Sequence, residues 1–191
     1  MSRGKTISDD DLLDSLMKAV VEHGPSNLSF AKASAAVGLA GATLVQRFGS
    51  RDGMIEAVLL KAWDQLDEET AAADAEASLD PAGSIAILLR LTNTDAADSD
   101  FTDGLLMLRE DIRNPVLRAR GAQWGGRLAS ALGRRLSDDR NQADRLGWQM
   151  ASLWQGALVW GAFRQDAEPD VKVKAMLEAW LRTCSLLPGV G

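Results

Sequence analysis

The chain has one cysteine, Cys184, one histidine, His23, and no tyrosine among its 191 residues. A single thiol cannot close an internal disulfide, and one thiol with one imidazole cannot furnish a structural zinc site. Cys184 therefore reads as a reduced thiol in a C-terminal helix. No Ser-His-Asp set, phosphate-cradling glycine loop or helical Glu-x-x-His pair can be traced. The adjacent acids Glu110 and Asp111 point in different directions on a helix and make no dyad. These absences leave no catalytic residues, no metal ligands and no cofactor to name, and the chain is expected not to be an enzyme. Positive charge is also short: 21 Lys and Arg stand against 27 Asp and Glu, a net charge of −6. Any contact with nucleic acid must therefore come from a local patch. No apolar run approaches the roughly 20 residues needed to span a bilayer. The opening MSRGKTISDDD has no hydrophobic signal core, so no membrane partner and a cytoplasmic location are expected.

What is present is apolar and helical. Hydrophobic residues make up 46% of the chain, enough to bury a core. No strand-like alternation persists, so the expected class is all-α. Leu12, Leu16 and Val20, with Leu13, Met17 and Val21, form one stripe on a helix over about 8–22. Ser8 and Asp11 read as its capping pair, and Gly24-Pro25 as its stop. Ser29 caps a second helix ending near Val37, a third runs over about 41–48, and Ser50 caps a long fourth. Ile55, Leu59, Trp63 and Leu66 face the core from that fourth helix. Further helices are expected at about 82–93, 101–112, 115–136, 140–165 and 170–187.

The segment 29–51, SFAKASAAVGLAGATLVQRFGSR, carries the functional signal. It reads as helix, glycine turn, short helix and glycine stop, the pattern of a helix-turn-helix. Gly38 supplies the positive backbone torsion a sharp turn requires. With Leu44 and Phe48 inward, a step of about 100° per residue points Ala42 and Gln46 outward. Thr43 and Val45 flank them, and Arg47 lies to one side. Such a face suits a major groove, where Gln reads adenine and Ala or Val meets a thymine methyl. Arg47 and Arg51 are candidates to neutralise phosphates, Lys32 projects from the preceding helix, and Arg3 with Lys5 forms a short basic arm that suits an adjacent minor groove.

This succession resembles the TetR family of bacterial transcriptional regulators. The likeness runs from the amphipathic first helix through Glu22-His23-Gly24 into Ala35-Ala36-Val37-Gly38-Leu39. It continues through Ala42-Thr43-Leu44, then Phe48-Gly49-Ser50-Arg51 and the apolar start of the fourth helix. REDIRNPVLR, residues 109–118, is similar to a helix-break-helix common in that family. Several positions depart from the pattern. Leu39-Ala40 stands where Val-Ser is usual, removing a cap hydroxyl. Ala42 replaces a glycine, Val45 an aromatic, Gln46 a histidine, and Arg51 a lysine. Thr43 and Ser29 match phosphate-contacting hydroxyl positions. The resemblance implies a three-helix helix-turn-helix DNA-binding domain over 1–52 and a larger helical ligand-binding and dimerisation domain over 53–191. The implied partners are double-stranded operator DNA, a small-molecule effector and a second copy of the chain.

The body offers material for both remaining roles. The segment 146–163, LGWQMASLWQGALVWGAF, is apolar over more than one face. Leu153, Gly156, Ala157, Trp160 and Gly161, with Met176 and Trp180 of the last helix, are the candidate dimer residues. All six tryptophans lie beyond residue 52. Trp63, Phe101, Leu105, Leu108, Trp124, Leu128, Trp148 and Trp154 are the candidate walls of an apolar effector site, each indole offering an N–H handle. The competing reading is a helical small-molecule-binding or protein-interaction dimer with weak or lost DNA binding.

Overall fold

The computed structural model describes the backbone of residues 7–94, 101–165 and 167–186, with the side chains of 93, 94 and 101–106 excepted. Among the described residues all regular structure is helical: α1 Asp9–His23, α2 Phe30–Val37, α3 Gly41–Phe48, α4 Arg51–Glu76, α5 Pro81–Thr94, α6 Phe101–Arg113, α7 Pro115–Gly133, α8 Arg140–Arg164 and α9 Pro169–Thr183. The all-α expectation holds. Among the described residues no helix is long and apolar enough to cross a membrane. By compactness the chain forms two units, one of residues 1–65 and 102–120, the other of 66–101 and 121–191.

The first unit is built on side chains the sequence marks as apolar. Leu12, Leu16, Ala19 and Val20 of α1 pack with Leu28, Ala33 of α2, Leu44 of α3, and Met54, Ile55, Val58 and Leu59 of α4. Met107 of α6 and Leu117 of α7 join the same cluster. Ser8 caps α1: its Oγ accepts from the Asp11 N–H at 3.1 Å and donates to the Asp11 carboxylate at 2.6 Å. Ser29 caps α2 by accepting from the Lys32 N–H at 3.3 Å. Ala40, at the N-cap of α3, makes no side-chain cap bond. An eight-residue helix is far below the roughly 12–15 residues that hold together alone in water. α3 therefore depends on burial of Leu44, which is fully inaccessible. Burying one leucine contributes about 1.5–3 kcal/mol.

α6 and α7 realise the helix-break-helix read at 109–118. The Asn114 side chain accepts from the N–H groups of Val116 at 2.8 Å and Leu117 at 3.3 Å. Its amide donates to Glu56 at 2.6 Å, tying the break to α4. The Trp63 indole N–H donates to Asp111 at 3.0 Å. Burial lifts the Asp111 carboxyl above its ordinary 3.8, the indole bond opposes that rise, and Glu110 adds to it.

In the second unit the acidic end of α4 is helical because arginines answer it. Asp67 pairs with Arg127 at 2.6 Å, and Asp74 pairs with Arg134 and, at 2.6 Å, with the buried Arg135. Burial alone would raise the Asp74 carboxyl, but the bonds from Arg134 and Arg135 hold it below 3.8. Arg135 also donates to the carbonyls of Asp74, Ala77, Ser78 and Ala131, capping the C-terminal end of α4. This explains a boundary: α7 ends at Gly133 rather than near 136, because the chain turns there and Arg135 swings onto α4. α9 ends at Thr183 rather than 187. Cys184 is its C-cap, and Ser185 turns the chain at a φ of 59°. α8 packs on α9, and α9 on α5.

α7 and α8 approach at glycines. A methyl group added at Gly147 would overlap the carbonyl oxygen of Ala129, and one at Gly133 would overlap that of Ala143. Gly147→Ala should therefore lower stability by about 1–3 kcal/mol, although alanine normally favours a helix. Thermal denaturation reads this; an unchanged or raised melting temperature would mean the helices are not in contact there. Ala40→Ser should act in the other direction, adding a cap bond to α3 and about 0.5–2 kcal/mol of stability. A melting temperature unmoved by that change would show that α3 does not begin where assigned.

Candidate functional site

Three positive-φ glycines shape the head: Gly24 at 76°, Gly38 at 69° and Gly49 at 72°. Gly38 is left-handed and joins α2 to α3, as the turn pattern requires. Across that turn the Ser34 hydroxyl donates to the Leu39 carbonyl. Leu44 is buried, Phe48 half-buried, and Ala42, Thr43, Val45, Gln46 and Arg47 are all exposed. α3 thus presents one continuous outer face of small, hydrogen-bonding and cationic side chains. Val45, at 44% exposure, is its apolar spot. Ser29 and Lys32 at the start of α2 are also exposed.

The cations of the head are not equally free. Arg47 meets Asp9 of α1 at 3.0 Å, with the Asp9 side chain 79% exposed. An ion pair so open to water contributes about 0–1 kcal/mol, so a phosphate can displace the carboxylate. Lys61 is engaged by Asp10 at 2.9 Å and Asp14 at 3.3 Å. Arg51 turns inward, donating to the backbone carbonyls of Leu28 and Pro25 and to Asp52. Arg3 and Lys5 lie outside the described residues. Sequence reasoning overlooked the Asp9–Arg47 pair. The acidic first turn of α1 was visible, but not which helix it would meet.

The effector candidates divide between the two units. Trp63 and Leu108 belong to the first, where Trp63 is half-buried and Leu108 is 45% exposed. The side chains of Phe101 and Leu105 lie outside the described residues. Trp124, Leu128, Trp148 and Trp154 belong to the second. Trp124 and Trp154 are buried and donate to Thr70 at 3.0 Å and Thr92 at 2.8 Å, and Leu128 is fully buried. Trp148 is 44% exposed and lies over Gly125. Trp63, Trp124 and Trp154 thus each spend the indole N–H on a neighbouring side chain, as buried indoles require.

Within the second unit α8 and α9 frame a groove of about 320 Å³, lined by Ala157, Gly161, Arg164, Pro169, Lys172, Val173 and Met176. Three of these, Ala157, Gly161 and Met176, are candidate dimer residues, and none is an effector candidate. Beside it Trp160 is 62% exposed and Phe163 72%, their ring centroids 5.7 Å apart. Gly156 has open space where a side chain would stand. Leu153 and Trp180 are half-buried. Phe163, not among the dimer candidates read from the sequence, shares the face of α8 that carries Leu153, Gly156 and Trp160. Among the described residues no cluster of His, Cys, Asp and Glu is arranged to hold a metal.

No protein-family profile matches the chain, and no curated protein matches it in sequence. Solved structures do match it in shape. A protein of Pseudomonas aeruginosa PAO1 assigned as a transcriptional regulator superposes with a TM-score of 0.75 at 13% identity, covering 94% of this chain and 92% of that one. The TetR family regulator PfmR of Thermus thermophilus gives 0.64 at 19% identity, over 90% and 97%. The multidrug binding protein EbrR, solved with imidazole, gives 0.66 at 17% identity, over 100% and 99%. With a glycine-turned helix pair near its N-terminus and a helical body after it, the chain has the fold of TetR-type transcriptional regulators.

Proposed function

We propose that the chain is a ligand-responsive transcriptional regulator, a repressor, that binds operator DNA as a homodimer through residues 1–52. The observation that carries this reading is the outer face of α3: Leu44 anchors the helix while Ala42, Thr43, Val45, Gln46 and Arg47 stand clear. Gln46 reads a base edge, Ala42 and Val45 meet thymine methyls, and Arg47, Thr43, Ser29 and Lys32 contact phosphates. Arg3 and Lys5 extend the contact into the minor groove. Such a protein works in the cytoplasm, beside the chromosome.

The body, residues 53–191, binds the effector and the second copy. A small apolar molecule that prefers one arrangement of the body shifts the population toward it, and one without that preference changes nothing. In the dimer the two α3 helices must sit about 34–36 Å apart, or near a multiple, to enter successive major grooves. α4 is one helix that runs from the first compact unit, 51–65, into the second, 66–76, which makes it the covalent route for the effect. A protein of the same fold, EbrR, is described as multidrug binding, which is in keeping with a small-molecule effector.

The dimer reading rests on the face of α8 that carries Leu153, Gly156, Trp160 and Phe163, with the Trp160 and Phe163 rings exposed. Covering a large aromatic ring removes about 150–250 Å² from water. With Trp160 62% and Phe163 72% exposed, the two rings supply roughly a quarter to two-fifths of the roughly 800 Å² per partner in a standard interface. A helical ligand-binding dimer without DNA affinity is the second reading, favoured by Arg51's inward bonds and the acidic first turn of α1.

Selection of the purified protein against random duplexes should enrich one two-fold-symmetric sequence, and a pool without enrichment would favour the second reading. Gln46→Ala should relax preference at one base pair per half-site by about 1–3 kcal/mol with an unchanged fold; an identical selected sequence would refute base reading by Gln46. Gly156→Leu should shift sedimentation from dimer toward monomer. An unchanged profile would put the interface elsewhere.

A further inference from the structure

Arg51 occupies the position where the charge pattern of the head suggests a phosphate ligand, yet its guanidinium faces the protein. Its Nε donates to the Leu28 carbonyl at 2.9 Å, one terminal nitrogen donates to the Pro25 carbonyl, and the other meets Asp52 at 2.8 Å. Pro25 is buried and Leu28 is fully inaccessible, so both carbonyls belong to packed backbone. These two residues lie in the connection between α1 and α2, which Gly24 starts at a φ of 76° and which folds back through Leu28 N–H to the Gly24 carbonyl at 3.2 Å. That connection leads directly into Ser29, the cap of α2. The planar fork of a guanidinium reaches two carbonyls at once, which a lysine ammonium on one flexible stem cannot reproduce.

We infer that Arg51 is a positioning residue of the DNA-reading head: it fastens the α1–α2 connection to the first turn of α4 and so fixes where Ser29, Lys32 and α3 stand. Phosphate neutralisation from α3 falls to Arg47, whose partner Asp9 is exposed and exchangeable. This rests on the DNA-binding reading and refines how that site is held. The two arginines differ in kind. One contributes charge to the DNA, and the other contributes geometry to the protein.

Salt dependence separates the two roles, because each phosphate contact adds about 0.9 to the slope of log affinity against log salt. Wild type, Arg51→Lys, Arg51→Gln and Arg47→Gln are compared on the same duplex over a salt series, with melting temperatures measured alongside. Arg51→Lys should weaken binding about tenfold at every salt concentration, leave the slope unchanged and lower the melting temperature. Arg51→Gln should behave the same way, whereas Arg47→Gln, which removes one contact from each copy in the dimer, should reduce the slope by about 1.8 and leave melting unchanged. A slope reduced by Arg51→Gln with unmoved melting would make Arg51 a phosphate ligand and overturn the proposal. Wild-type binding by Arg51→Lys would overturn it as well, whether or not melting falls. If wild type itself retards no duplex at low salt, the DNA-binding reading fails first, and the positioning role fails with it.

Discussion

The head of this molecule depends on the burial of Leu44. α3 has eight residues, no cap hydroxyl at Ala40 and no acid in its first turn, so nothing local would keep it helical in water. Its one fully buried side chain locks it into the cluster formed by α1, α2 and α4. Everything on the opposite side of α3 inherits its orientation from that contact. The exposure of Ala42, Thr43, Val45, Gln46 and Arg47 is thus the geometric complement of a single leucine. Glycines with positive torsions at 24, 38 and 49 let three short connections turn tightly enough for the cluster to close.

Charge is used differently in the two units. In the head, acids and bases meet at the surface, where Asp9 holds Arg47 and Asp10 and Asp14 hold Lys61. The open Asp9–Arg47 pair adds little stability and yields readily to a stronger anion. In the body, Arg135 is buried and spends its donors on Asp74 and on backbone carbonyls around the end of α4. Removing one partner from such a buried set costs about 3–5 kcal/mol. The net charge of −6 says little about either arrangement, because what matters is where each charge meets its partner.

Most of the fold was legible in the order of residues. Period-four leucines, Ser8 and Ser29 as caps, and glycine stops located α1 to α3 because those signals act within a few residues. The outer face of α3 followed from helix geometry once Leu44 was placed inward. What was not legible depends on distant partners. Nothing near Arg135 indicated that it would end α7 early to cap α4. Nothing beside Gly133 and Gly147 in the sequence indicates the Ala143 and Ala129 carbonyls that face them. Arg51 looked like a free cation, since Leu28 and Pro25 are more than twenty positions away. The tryptophans were readable as apolar mass, but their partners Asp111, Thr70 and Thr92 were not.

A glycine-turned helix pair, an exposed outer face on α3 and a helical body with an exposed aromatic patch support the proposed reading, a dimer that reads DNA and responds to a small molecule. Such a protein requires that the exposed face of α3 grip duplex DNA despite the acidity of the whole chain. Equilibrium binding to promoter duplexes, followed by fluorescence anisotropy from low to high salt, tests this most directly. Specific binding is expected, its logarithm falling steeply and linearly with the logarithm of salt. Absence of binding at the lowest salt, with or without apolar effectors, would contradict it.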